Sequence, residues 1–159
     1  MPLAGVGQLL ALAIWLGAAL YFSAAVAPAA FSVLPTRELA GALVGRTLPV
    51  VFVSGAAVGV VSLLLETGHR PRRFRVGRVV AGASIVASCL VAQLIVAPRI
   101  AALRASLAVP LAALSTDHPQ RIAFGRLHMI SVAWLAIAML AAAIGVLLAA
   151  YTLRSEHST

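Results

Sequence analysis

The chain has 159 residues, of which 62% are hydrophobic and 10% charged. A soluble domain carries about 25% charged residues, and a chain this short cannot bury so much apolar surface in a core of its own, so an ordinary water-soluble domain is excluded and lipid is the solvent for most of it. The net charge of +8 comes from arginine alone, and these arginines are spread between apolar stretches instead of gathering on one face, which argues against a nucleic-acid partner.

None of residues 2 to 36 is charged. Roughly 20 apolar residues cross about 30 Å of hydrocarbon, where backbone groups find no outside partner and the segment must be helical. The first span is predicted over 5–27. It is read as a retained helix, because no basic residue opens it and its apolar stretch is too long for a leader. Pro28 also follows the small-residue pattern Ala25-Val26-Ala27. Pro35-Thr36 then opens a segment running through Glu38, Leu39 and Leu43 into the second span, 47–66, which Pro49 is predicted to bend near its entrance.

"HRPRRFRVGR", His69 to Arg78, holds five arginines in ten residues. By the positive-inside rule this short connection is cytoplasmic, which puts both termini inside and the connections 28–46 and 99–126 outside. Those outer connections also carry Arg37, Arg46, Arg99, Arg104, Arg121 and Arg126, so the orientation rests on charge density. The third span is predicted over 78–98. Beyond it Ile100, Leu103 and Leu107 recur at helical spacing, up to a stop at Pro110. Asp117 is the expected N-cap of a last helix with Pro119 in its first turn. A helix over 119–152 is about 50 Å long and contains the fourth span, 127–152.

The expected fold is therefore all-α: a single integral membrane domain over 1–159, a bundle of four transmembrane helices with helical extensions on the outer side. A faint repeat suggests two helical hairpins of like orientation. Val-Ala-Pro closes the first span at 26–28 and the third at 96–98, and Gly-Arg opens the second at 45–46 and the fourth at 125–126. Such hairpins would be related by an axis along the membrane normal, an arrangement found in transporters; coincidence in an alanine-rich sequence is the rival reading. Helices in lipid associate through small residues. Gly55 and Gly59 form a GxxxG in the second span, and Ala141 and Gly145 share that spacing in the fourth. Contact within the chain and homodimerisation are the two uses open to them. Gln93, inside the third span, is expected to hydrogen-bond a neighbouring helix, with substrate binding as the alternative.

No charge falls deep within a span. Glu38, Glu66, Asp117 and Glu156 all lie at ends or in connections, which weighs against proton-coupled transport through a buried carboxylate and against catalysis by paired carboxylates. Cys89 is the single cysteine, so no disulfide or CxxC pair exists within one chain. The remaining candidates stand in "FGRLHMIS", Phe124 to Ser131. Arg126 and His128, with Arg46 at the matching place in the other half, could line an anion or lipid-headgroup site; His128 is also a weak candidate for a metal ligand, since zinc takes three or four. The plain alternative is an interfacial belt in which arginines reach for lipid phosphates.

"WLGAALYFSAAVAPAAF" (15–31), "AGALVGRTLPVVF" (40–52) and "FGRLHMISV" (124–132) occur in that order. Together they resemble the transmembrane protein 205-like family of four-helix membrane proteins, over nearly the whole chain. That resemblance implies a membrane domain of unknown function, with a link to drug and metal tolerance in animal members. A more distant similarity is to copper-resistance D type membrane proteins and the related haem-binding protoporphyrinogen oxidase group. Those place a histidine on the first helix about two turns before a tryptophan-glycine signature, where this chain has Gln8 before Trp15. An amide oxygen is a poor ligand for haem iron or soft copper, so no cofactor is expected.

The expectation is a non-enzymatic integral membrane protein, in the cytoplasmic membrane of a bacterium, serving transport or tolerance of a small solute or metal. An accessory subunit of a larger membrane complex is the first alternative, and a haem- or metal-binding oxidoreductase subunit the second.

Overall fold

A computed structural model of the chain describes residues 2–66 and 74–156. Among these residues the regular structure is entirely helical. In chain order the helices are α1 (Pro2–Tyr21), α2 (Ala27–Val33), α3 (Arg37–Leu65), α4 (Arg75–Val91), α5 (Ala97–Ala105) and α6 (Pro119–Glu156), with a short 3-10 turn at Leu111–Ala113. Four helical stretches are long and apolar enough to cross a membrane: Leu3–Val33, Arg37–Leu65, Arg75–Ala105 and Pro119–Arg154. The chain thus has the form of an integral membrane protein. The arginine-dense stretch from His69 to Arg73 lies outside the described residues, as does His157.

Each observed span is longer than the one predicted for it. Leu103 and its neighbours continue the third span to Ala105, and α6 runs for 38 residues, about 57 Å at 1.5 Å per residue. Pro49 lies inside α3, whose start is capped by Thr36: its hydroxyl oxygen accepts from the Leu39 N–H at 3.3 Å. At the start of α6 the cap is His118 and not the expected Asp117. The His118 carbonyl accepts from Ile122 at 3.1 Å and its Nδ1 from the Gln120 N–H at 3.3 Å, the two bonds that define an N-cap. Asp117 instead bonds within the preceding turn, where the Ser115 hydroxyl and a backbone N–H hold its carboxyl below the usual range.

Helix α1 packs on α3 and α6, and α4 packs on the same two, which closes a four-sided bundle. Its core is Leu12, Trp15, Ala19, Phe52, Ile85, Cys89 and a run of α6 residues, Leu135, Ala138, Ala141 and Ala142. Small residues set the spacing. A Cβ on Gly55 would stand 2.5 Å from Trp15 Cζ2 and 2.8 Å from Cys89 Sγ, so the indole of α1 lies directly on the α3 backbone, where Trp15 Nε1 donates to the Val51 carbonyl at 3.0 Å. A Cβ on Gly59 would meet Val86 Cγ2 at 2.7 Å and the Gly82 carbonyl at 3.1 Å, which fixes the approach of α3 to α4. Gly145 plays a like part toward Leu12, and Ala141 is buried.

Two wide turns of π-helix interrupt the first and third spans, at Phe22–Val26 and Ala92–Val96. In each the N–H that follows bonds five residues back, Ala27 to Phe22 and Ala97 to Ala92. Each directly precedes an Ala-Pro pair. A proline in a helix clashes with the carbonyl four residues earlier, here that of Ala24 or Leu94, and both fall within the widened turns. The two turns are 70 residues apart (28 to 98 at their prolines). The same shift carries the buried residues of α1 onto buried residues of α4: Gln8 onto Arg78, Leu12 onto Gly82, Trp15 onto Ile85, Ala19 onto Cys89 and Phe22 onto Ala92. The Gly-Arg pairs do not share a register in this way. Their shift of 80 (46 to 126) sets buried Gly55 and Ser62 on buried Leu135 and Ala142 but buried Phe52 on exposed Val132, so that register matches only in part.

Candidate functional site

Polar side chains collect at both ends of the bundle. At the end where α3 and α6 begin, the residues nominated from sequence are on the surface. Arg46, Arg126 and His128 are all exposed, and neither arginine makes a hydrogen bond or ion pair among the described residues. The residue that links elements there is Arg104, near the end of α5. Its guanidinium carbon lies 5.1 Å from the centre of the Phe124 ring, a favourable cation–π distance. Its Nη1 reaches the Gly41 carbonyl of α3 at 3.5 Å. Phe124 in turn lies parallel to the His128 ring, centroids 6.2 Å apart, as expected one helical turn along α6. Arg121 is occupied separately, donating to the Leu114 carbonyl at 2.6 Å. The result is a surface with Arg104, Phe124 and His128 at its centre, open to an anion or to the edge of an amphiphile. No group of three or more His, Cys, Asp or Glu comes together among the described residues, so none of them joins His128 in a ligand set.

Gln93 departs from its expected role. It sits in the second π-turn, and its Oε1 is buried with no hydrogen-bond partner among the described residues. The hydrogen bond anticipated to a neighbouring helix is not formed among the described residues.

The opposite end holds a cluster that periodicity alone did not reveal. Glu66, the residue that ends α3, and Arg78, in the first turns of α4, are 2% and 3% exposed. They form a two-pronged ion pair: Arg78 Nε donates to Glu66 Oε1 at 2.8 Å and Nη2 to Oε2 at 2.9 Å. Arg78 Nη1 donates to Thr152 Oγ1 of α6 at 3.0 Å, and the Thr152 hydroxyl donates to the Leu148 carbonyl at 2.8 Å. From α1, Gln8 Nε2 reaches Glu66 Oε1 at 3.3 Å and the Ser62 carbonyl at 3.4 Å. The Ser62 hydroxyl is buried and has no partner among the described residues. All four spans therefore meet in one polar cluster, and its ion pair joins the α1–α3 half of the chain to the α4–α6 half. Glu66 and Arg78 are chain-terminal to their spans, which is why charge-free windows passed them over. The available signal was Gln8, a lone amide in an apolar run, with the last acid of one span and the first base of the next.

Gln8 stands where the copper- and haem-binding similarity would require a histidine. Its amide is committed to Glu66 and Ser62, and the residues present do not fit a haem or copper site.

The fold and these two polar ends define a four-span helical membrane protein. A domain of unknown function, DUF4149, matches residues 10–108. The chain belongs to that family, the match running from α1 past the end of α5 and so taking in Arg78, Gln93 and Arg104. No curated protein and no solved structure matches the chain.

Proposed function

We propose that this protein is a non-enzymatic bacterial membrane protein that takes an anionic or amphiphilic small solute at the Arg104–Phe124–His128 surface, in transport or tolerance of that solute. The observation that carries this reading is a guanidinium laid over an aromatic ring with no carboxylate beside it. Arginine offers a planar fork to carboxylate or phosphate, and Phe124 offers apolar area to the attached chain. Arg46 and Arg126 add unneutralised charge on the same end of the bundle. The resemblance of residues 15–31, 40–52 and 124–132 to the transmembrane protein 205-like family supports a role in tolerance.

Binding of a short-chain phosphatidic acid to the protein in zwitterionic nanodiscs tests this, against a short-chain phosphatidylcholine. The expected result is preference for the anionic lipid, weakened about tenfold by Arg104→Ala, the loss of about 1.4 kcal/mol that one charge-assisted contact represents. Equal binding of both lipids, or no effect of Arg104→Ala, rejects the reading. An accessory role in a larger membrane complex is the second reading, and a partner of constant stoichiometry after gentle-detergent purification would favour it.

A further inference from the structure

The buried end of the bundle has the composition of a binding site. Among the described residues, the Arg78 guanidinium and the Gln8 amide donate to Glu66, the Ser62 hydroxyl lies one helical turn before it, and Thr152, whose own proton goes to Leu148, accepts from Arg78 and holds it in place. Glu66 is the one acid among these side chains. The Ser62 hydroxyl has no partner among the described residues at 2% exposure. A buried hydroxyl without a partner is costly and calls for an explanation.

The helix ends point the same way. The N-terminus of α4 favours negative charge and the C-terminus of α3 disfavours it. Glu66 lies at the unfavourable end of its own helix, and its carboxylate is held by the Arg78 side chain near the start of the next. The donors are also the better anchored partners. Gln8 and Arg78 sit inside helices, whereas Glu66 is the first residue after α3. A buried ion pair is weak evidence for stability, since removal of charge from water offsets the attraction. Ionisable groups buried in a span end mark functional sites more often.

We propose that Gln8, Ser62 and Arg78, the last positioned by Thr152, form a buried oxyanion site, filled in this conformation by the Glu66 carboxylate, which a small carboxylate anion can replace. The two Arg78–Glu66 bonds are the side-on geometry that any carboxylate would adopt. Occupation by a solute would release Glu66 and with it the only ion pair seen between the two halves among the described residues. The site does not involve Arg104, Phe124 or His128, and it stands whether or not that surface binds anything.

The native Cys89 provides a reporter. It is fully buried in the core, so its reaction with a permeant maleimide measures opening of the bundle. Glu66→Ala and Glu66→Gln are purified in detergent and labelled in sodium acetate and in sodium chloride of equal ionic strength. The expected result is labelling of Glu66→Ala on the order of tenfold slower in acetate, the protection a ligand gives at about ten times its dissociation constant. Acetate should have a smaller effect on Glu66→Gln, whose amide still fills the space, and none on Glu66→Ala/Arg78→Gln. Equal labelling of Glu66→Ala in both salts overturns the proposal. So does an acetate effect that survives loss of Arg78, or a Glu66→Ala protein that fails to fold and is not recovered by acetate.

Discussion

At the scale of single residues, the protein depends on a few contacts that leave no slack. Arg78 and Glu66 satisfy each other, so removal of either strands a buried charge. Arg78→Met alone should cost about 3–5 kcal/mol, whereas the double replacement Glu66→Leu/Arg78→Met should recover most of that loss. Denaturant or thermal unfolding in detergent of the two singles and the double provides the check, and equal losses in all three would show that the charges are not coupled. Gly55 is bounded just as tightly. With Trp15 Cζ2 and Cys89 Sγ inside 3 Å of where a Cβ would stand, Gly55→Ala should destabilise by about 1–3 kcal/mol. Trp15→Phe loses the bond to Val51, about 0.5–1.5 kcal/mol, and also leaves a void where the larger indole packed, so the same melts should show it destabilising by at least that much.

At the scale of elements, local chemistry was readable wherever a span meets a connection. Pro35-Thr36 and Pro119 mark the two helix starts on their end of the bundle, and both helices begin there. The cap of α6 was misplaced by one residue, from His118 to Asp117, because either type of side chain can accept a backbone N–H and only the geometry of the turn decides between them. His118→Ala should destabilise α6 by roughly 0.5–2 kcal/mol, and Asp117→Ala by less; hydrogen exchange at Arg121 to Phe124 would show the difference as earlier opening of the first turns. The π-turns were not predicted. Their trace in the sequence was the repeated Val-Ala-Pro, noted as a sign of duplication but not as a backbone feature. A proline can be relieved by a bend, a break or a widened turn, and the sequence does not choose among these. Gln93 illustrates the same limit. A polar residue in a span signals that it matters, but whether it meets a partner depends on which residues the next helix presents.

At the scale of the whole molecule, the first helices of the two halves share a register of buried positions, and the Glu66–Arg78 ion pair joins the halves. The arginine-dense connection and both termini are expected inside. A Ser115→Cys protein should then react with an impermeant maleimide added to intact cells, while Cys89 stays unreactive; reaction only after the membrane is opened would reverse the assigned orientation. The candidate outer surface was half visible in advance. Arg126 and His128 stand out because they interrupt a polar-poor region just before the last span, but Arg104 looked like one of several interfacial arginines. Only the return of α5 against α3 and α6 brings it over Phe124. The buried cluster was less visible still. Its five residues come from positions 8 to 152 of the chain, and no local pattern relates them.

Composition and hydrophobic run length were enough to determine a four-span helical membrane protein, because in lipid the backbone has to satisfy itself and a helix of fixed rise per residue is how a single segment does so. Charge density along the chain supplied an expected orientation for the same elementary reason. Tertiary structure alone decided which polar residues are buried and which meet. Glu66 and Arg78 have the sequence character of ordinary flanking charges. They became a shielded pair because the closure of four helices at one end removed water from them, and close packing at Gly55, Gly59 and Gly145, two to three helical turns away along α3 and α6, draws those helices together.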